Sequence, residues 1–176
     1  MRTRNDALAR ARRVRLMVFD VDGVLTDGAL YMTRNGEMKV FHVRDGHGLK
    51  MLQECGIQTA LLSGRRSALV DARAAELGIR IVEQGCSDKR AGFERLLSQV
   101  GLPAAAAGYM GDDFPDLPVI ERCGFAASVP DAPTAVRRSA HYVARAAAGR
   151  GAAREVCEFI LQAQKTLSRA ALRTLA

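Results

Sequence analysis

Tryptophan is absent from the chain, and aromatic residues make up only 5% of its 176 positions. That leaves little from which to build a base-stacking platform, so a nucleic-acid partner is not expected. No apolar run is long enough to span a membrane. Residues 1–13 are rich in arginine but lack the continuous apolar stretch that a signal peptide carries. The four cysteines, Cys55, Cys86, Cys123 and Cys157, are scattered and make no Cys-x-x-Cys pair. Disulfides and a zinc site are thereby disfavoured, and reduced thiols in a cytoplasmic protein are the expectation. Internal repeats and low-complexity linkers are lacking too. With 48% hydrophobic residues, a chain of this length can bury a substantial core as one compact domain.

The formal charge of +7 is unevenly placed. Residues 1–15 hold six arginines, at positions 2, 4, 10, 12, 13 and 15, against the single acid Asp6. That segment carries +5 of the +7, leaving about +2 for the rest, too ordinary a value to argue for a phosphate-backbone partner. Residues 1–13 read as a basic arm, mobile or helical. Residues 14–165 read as the domain, and residues 166–176 as a tail or helix extension.

What the chain does have is alternation. Strand patterns near 16–19, 57–62, 79–82, 106–110, 124–127 and 141–143 are interleaved with helical patterns near 46–55, 66–77, 88–99, 113–122, 132–138 and 151–165. This predicts a Rossmann-like, doubly wound, mainly parallel α/β sheet with helices on both faces. In the last helix the apolar positions are Val156, Phe159, Ile160 and Ala163, at helical spacing. One segment breaks the alternation: residues 29–32 and 37–42 flank Thr33-Arg34-Asn35-Gly36, and the Asn-Gly pair signals a protruding β-hairpin.

The chemistry sits where these strands end. Asp20-Val21-Asp22-Gly23 directly follows the apolar run Leu16-Met17-Val18-Phe19. Successive side chains along a strand face opposite ways, so Asp20 and Asp22 share a site only if the chain turns between them, which Gly23 makes feasible. One carboxylate can then attack or ligate while the other handles protons; a solvated acidic loop is the plain alternative. Ser63-Gly64-Arg65 follows a second strand, where a hydroxyl and turn N–H groups can bind phosphate oxygens. Lys89, near a helix start, can neutralise phosphoryl charge. Gly111-Asp112-Asp113-Phe114-Pro115-Asp116 ends a further short strand.

Four such pieces in this order resemble the haloacid dehalogenase superfamily of phosphotransferases, over nearly all of residues 14–164. The stretches Asp20-Val21-Asp22-Gly23-Val24-Leu25-Thr26-Asp27-Gly28, Val43-Arg44-Asp45-Gly46-His47-Gly48, Gly111-Asp112-Asp113 and Gly149-Arg150-Gly151-Ala152-Ala153-Arg154-Glu155-Val156 are similar to its capless branch of 3-deoxy-D-manno-octulosonate 8-phosphate phosphatases. Close relatives of that branch act on nine-carbon keto sugar acid 9-phosphates or are fused behind acylneuraminate cytidylyltransferases, a half that this sequence does not contain. The resemblance implies a Mg2+-dependent phosphatase of a small sugar acid phosphate, working through an aspartyl-phosphate, for lipopolysaccharide biosynthesis. A nine-carbon substrate and a catalytically silent binding or scaffolding subunit are the alternatives. Retention of Asp20, Asp22, Ser63, Lys89 and Asp112 together argues against the second.

The same resemblance assigns roles. Asp20 is the expected nucleophile and Asp22 the general acid and base. Mg2+ is expected on the Asp20 carboxylate, the Asp22 backbone carbonyl and the Asp112 carboxylate, with Ser63 and Lys89 holding phosphoryl oxygens. Asp113 and Asp116 either orient this shell or simply stabilise a helix start through its dipole. For the sugar acid, Arg65, Arg73 and the loop Val43-Arg44-Asp45-Gly46-His47 are candidates, since the arginine fork matches a carboxylate. His47 departs from the aromatic residue expected between those glycines. Arg150 is a candidate for gating or substrate binding, whereas His42 and His141 read as strand-end residues. The gaps between Asp27 and Ser63 and between Arg65 and Lys89 have no room for a cap domain. Water must still be controlled at the reacting group, so the resemblance implies a homotetramer joined through the 29–42 hairpin, each site closed by a neighbour.

Overall fold

Leu16, Met17, Val18 and Phe19 form strand β1 (Leu16–Phe19), and all four side chains are fully buried. A strand that is apolar on both faces belongs in the middle of a parallel sheet covered on both sides. In the computed structural model, which describes residues 3–173, β1 pairs in parallel with β4 (Gln58–Leu62) on one side and β6 (Ala107–Gly111) on the other. Strand β5 (Ile81–Glu83) extends the sheet beyond β4. Strands β7 (Phe125–Ser128) and β8 (Tyr142–Val143) extend it beyond β6, giving the order β5-β4-β1-β6-β7-β8, all parallel. The chain works outward from β1 to β5 and then restarts on the other side, so the order reverses between β1 and β6. A ligand crevice is expected at the carboxyl ends of those two strands.

The helices pack in two groups. Helix α7 (Ala152–Ala163) packs with α2 (Val43–Glu54), α1 (Arg4–Ala11) and α8 (Leu167–Arg173) in one cluster. Helix α4 (Lys89–Val100) packs with α5 (Leu117–Ile120), and α5 with α6 (Thr134–Ser139), in the other. Helix α3 (Ala68–Glu76) links β4 to β5. Val156, Phe159, Ile160 and Ala163 are all buried, so the spacing read in the sequence does mark the inward face of α7.

Several local expectations are corrected. The hairpin strands, β2 (Tyr31–Thr33) and β3 (Gly36–Met38), have three residues each rather than filling 29–42. Pairing cannot extend further. On the way in, Asp27 accepts from the Ala29 N–H (3.0 Å) and the Tyr31 hydroxyl (2.6 Å). On the way out, Lys39 turns inward to an ion pair with Asp22. Residues 43–47 are not a loop but the first turns of α2, with His42 as its cap: His42 Nδ1 accepts from the Arg44 N–H at 3.2 Å. The helix expected over 113–122 is a 3-10 turn, Phe114–Asp116, followed by the short α5, because Pro115 and Pro118 interrupt N–H donation.

The arginine-rich segment forms α1, seated on the domain. Ala7 and Ala11 are buried, the Arg10 guanidinium donates to the Gly124 carbonyl and Arg12 to the Ala163 carbonyl. Arg2 lies outside the described residues, as do positions 174–176 of the C-terminal segment, whose earlier part forms α8 with Ala170 buried. No helix among the described residues is long and apolar enough to cross a membrane. Cys55, Cys86, Cys123 and Cys157 are all free thiols.

Candidate active site

The register sets Phe19 beside Leu61 and Met110, so β1, β4 and β6 end at nearly one level. Asp20, Ser63 and Asp112 leave the sheet on the same edge. The chain after β1 does not continue as strand. The Val21 carbonyl accepts from the N–H groups of Val24, Leu25 and Thr26, and the Thr26 hydroxyl lies 3.4 Å from the Gly23 N–H and 3.3 Å from that of Gly28. This tight loop brings Asp20 and Asp22 into one cavity of about 370 Å³, lined also by Ser63, Arg65, Lys89, Asp112 and Asp116. Gly23 stands at φ +85°, and a Cβ there would run into the Asp112 carboxylate, so only glycine lets the two loops approach this closely.

Lys89, at the start of α4, is 7% exposed. Its ammonium donates to Asp20 Oδ2 at 2.7 Å and to Asp116 Oδ1 at 2.6 Å. Asp116 is completely buried and accepts from four donors: Lys89 and the Tyr109 hydroxyl (2.6 Å) on Oδ1, and the Asp112 and Asp113 N–H groups (2.9 and 3.0 Å) on Oδ2. Each of its oxygens therefore has both lone pairs engaged. Of the two readings of Asp116, orienting the shell describes it better than a simple helix-start carboxylate. Asp113 is exposed and accepts from the Phe114 N–H at 2.8 Å, which fits the helix-start reading.

Carboxylate oxygens of Asp20, Asp112 and Asp116 lie within 4.8 Å of one another. Burial first, and then the Asp116 charge, push the Asp20 carboxyl up to about 8 and the Asp112 carboxyl up to about 6, against the pull of the Lys89 ammonium. Such a cluster holds a proton tightly unless a cation replaces it. Because Asp116 has no lone pair left, Asp20 and Asp112 are the carboxylates able to take a cation. Hard oxygen donors that leave room for water suit Mg2+.

Sequence reading missed the hairpin's share of this site. The buried Lys39 ammonium pairs with Asp22 and stands 3.5 Å from Glu37, whose carboxylate takes Arg65 Nη2 at 2.8 Å. Charged residues just beyond a two-stranded turn carry no recognisable spacing, so the sequence offered no signal for them. Tyr109 was missed as well; a phenol inside an otherwise apolar strand was the available clue.

The substrate-binding candidates scatter. Arg65 lines the cavity. Arg44 is exposed at the start of α2 and His47 is half-buried on it. Neither lines the cavity, nor does Arg73, which lies over the Phe41 ring and pairs with Glu76 at 2.7 Å. Asp45 and Gly46 are a correction to the expected substrate loop. Asp45 is buried and spends both carboxylate oxygens on backbone, accepting from the Gly151 N–H (3.0 Å) and the Arg154 N–H (2.8 Å) at the start of α7. Gly46 is buried where a Cβ would meet the Arg73 guanidinium. Arg150 lines a neighbouring depression with Asp27, Asp112, Asp113 and Asp131. Its segment is pinned: the Gly149 N–H donates to the Val24 carbonyl, and Glu155 accepts from the Arg145 and Ala146 N–H groups. His141 adjoins β8, its Nδ1 accepting from the Ala126 N–H at 2.8 Å, as a strand-end residue.

No family model matches the chain. Among proteins, it is 44% identical over 166 residues to the 3-deoxy-D-manno-octulosonate 8-phosphate phosphatase KdsC of Escherichia coli (strain K12), covering 94% of this chain and 88% of that one. Among solved structures, the 3-deoxy-D-manno-octulosonate 8-phosphate phosphatase from Moraxella catarrhalis, in complex with magnesium, phosphate and KDO, superposes with a TM-score of 0.94. It is 39% identical and covers 99% of this chain and 100% of that one. A Legionella pneumophila structure described as a haloacid dehalogenase superfamily hydrolase of subfamily III A also reaches 0.94, at 40% identity, over 97% of this chain and 94% of that one.

Proposed function

Since the chain belongs to the 3-deoxy-D-manno-octulosonate 8-phosphate phosphatase family of the haloacid dehalogenase superfamily, we propose that it hydrolyses that eight-carbon sugar acid phosphate with Asp20 as nucleophile. The observation that carries the assignment of roles is the convergence of Asp20, Asp22, Ser63, Lys89 and Asp112 on a single cavity. In the first step an Asp20 oxygen bonds to phosphorus, the phosphorus–oxygen bond to the sugar breaks, and Asp22 gives its proton to the departing alkoxide. In the second, water attacks the aspartyl-phosphate, Asp22 takes back a proton, and the bond to Asp20 breaks to free phosphate. Ser63 and Lys89 hold the phosphoryl oxygens as charge shifts among them. Asp20, the Asp22 carbonyl and Asp112 would hold Mg2+, which supplies charge neutralisation at the phosphoryl group. The product sugar acid suits a role in lipopolysaccharide biosynthesis, and four free thiols favour the cytoplasm as its location.

The sugar acid end of the substrate requires cations beyond those at the phosphoryl site. Arg65 is in place within the cavity. Arg44, His47 and Arg73 serve best if a second copy presents them, and the hairpin region has the surface for such an assembly: Leu30, Met32, Met38, Val40 and Val43 are all exposed. An apolar ribbon of this kind invites a partner, so the proposed state is a homotetramer joined through it. Light scattering on a chromatographed sample tests this, and an active monomer removes it. Phosphate release from the eight-carbon 8-phosphate beside a nine-carbon 9-phosphate, with Mg2+ or EDTA and with Asp20→Asn as control, tests the function. Preference for the nine-carbon ester, or release that persists in Asp20→Asn, overturns it.

A further inference from the structure

The Asp22 carboxylate is held by the residue that directly follows the hairpin. Lys39 follows β3, its side chain is 4% exposed, and its ammonium pairs with Asp22 Oδ1. The same ammonium lies 3.5 Å from Glu37 Oε1, and that oxygen lies 2.8 Å from Arg65 Nη2. Alternating charges thus tie together the loop after β1, the hairpin and the loop after β4. A buried ammonium is tolerated when anions surround it, and Lys39 has two. Lys39 is not among the residues that line the cavity, whereas Asp22 is. On Asp22, Lys39 touches Oδ1, so the carboxylate has one oxygen in the ion pair and one outside it.

We propose that Lys39 is a positioning residue for the reaction: it fixes the rotation of the Asp22 carboxylate so that the free oxygen meets the leaving-group oxygen, and Glu37 fixes Lys39 in turn. This rests on the reading of Asp22 as acid and base. Proton transfer requires hydrogen-bond reach, and a misplacement of about 1 Å can cost about 100-fold. The loss should be selective. An alkoxide leaving group needs the proton, whereas 4-nitrophenolate departs without one.

The test is single-turnover release of the sugar acid from its phosphate and of 4-nitrophenol from 4-nitrophenyl phosphate. Both are measured on the same preparations of wild type, Lys39→Met, Lys39→Gln, Lys39→Arg and Asp22→Asn. The ratio of the two rates does not depend on how much of a sample is folded, and Lys39→Gln serves if the Met variant is lost. Asp22→Asn should lower the sugar-to-phenol ratio by about 100-fold or more. Lys39→Met or Lys39→Gln should lower it by about 10-fold or more, with Lys39→Arg recovering most of the loss. If the Lys39 variants slow both substrates equally, or neither, Lys39 does not position Asp22, whatever Asp22 itself does. An unchanged ratio in Asp22→Asn removes the acid–base reading and this inference with it.

Discussion

Replacing Asp116 by asparagine changes almost nothing in shape and a great deal in hydrogen bonding. The buried carboxylate accepts from four donors, two on each oxygen. Asparagine keeps one oxygen and turns the other acceptor into an NH2 donor. The Asp112 and Asp113 N–H groups are fixed in the backbone, so the amide oxygen should face them and the NH2 should face Tyr109 and Lys89. The Tyr109 hydroxyl can rotate to accept. Lys89 cannot, and loses one of its two anionic partners while remaining buried. Removing a partner from a buried ion pair costs about 3–5 kcal/mol; since Asp20 remains at 2.7 Å, about 2–4 kcal/mol is expected here. At roughly 2–4 °C per kcal/mol for a chain of this size, Tm should fall by about 5–15 °C. Thermal unfolding followed by circular dichroism in EDTA reads this directly. Asp113→Asn is the control, because Asp113 is exposed and should shift Tm by less than about 2 °C. The two variants also differ in chemistry: without the Asp116 charge, Asp20 and Asp112 should ionise at lower pH, moving the onset of Mg2+ binding downward. A Tm within about 2 °C of wild type for Asp116→Asn would refute the account of Asp116 as the acceptor on which Lys89 and the Asp112 loop are fixed.

Protons and Mg2+ should compete for Asp20 and Asp112, whose carboxyls sit at about 8 and about 6 without metal. Both values are raised above those of the unfolded chain. The metal-free fold is therefore favoured below the ordinary carboxyl range and loses that stability as pH rises toward 8. Tm in EDTA should fall from pH 5 to 8.5 while the gain from Mg2+ widens; a constant gap would contradict the assignment of these two as ligands. Asp45→Ala should lower stability by about 1–3 kcal/mol, seen in urea unfolding, and leave KM unchanged, because Asp45 caps α7; a selective rise in KM would restore it as a substrate contact. Glu155→Gln should speed hydrogen exchange at Arg145 and Ala146, whose N–H groups it accepts, and unchanged protection there would show that the loop carrying Arg150 is held by other contacts.

The sheet was legible because β1, β6 and β7 are buried along their whole length, and continuous apolar runs bounded by turn residues announce such strands. Asp20, Asp22, Ser63, Lys89 and Asp112 were legible for a related reason: each follows directly from a strand end or opens a helix. What stayed hidden depended on partners far away in sequence. The sequence could not say whether Asp116 or Asp113 was the buried acid, since both sit in the first turn of the same segment, and only the packing of Tyr109 and Lys89 separates them. Residues 43–47 looked like a substrate loop because of the family resemblance and because the Arg44 fork suits a carboxylate. Gly46 and Gly48 instead allow close packing, Gly48 against Arg154 and Cys157. Lys39 was hidden because its meaning comes from where the hairpin turns back, which no local pattern encodes.

Asp20 and Asp112 leave strands β1 and β6, which are immediate neighbours in the sheet, yet the whole β4–β5 half of the protein is threaded between them. Their pairing is among the long-range contacts that a parallel sheet forms slowly, after the intervening loop entropy has been overcome. A chain with only local structure has no site, and the metal has nothing to hold until the two halves meet. Bound Mg2+ should accordingly act as a brake on unfolding with little influence on the rate of folding.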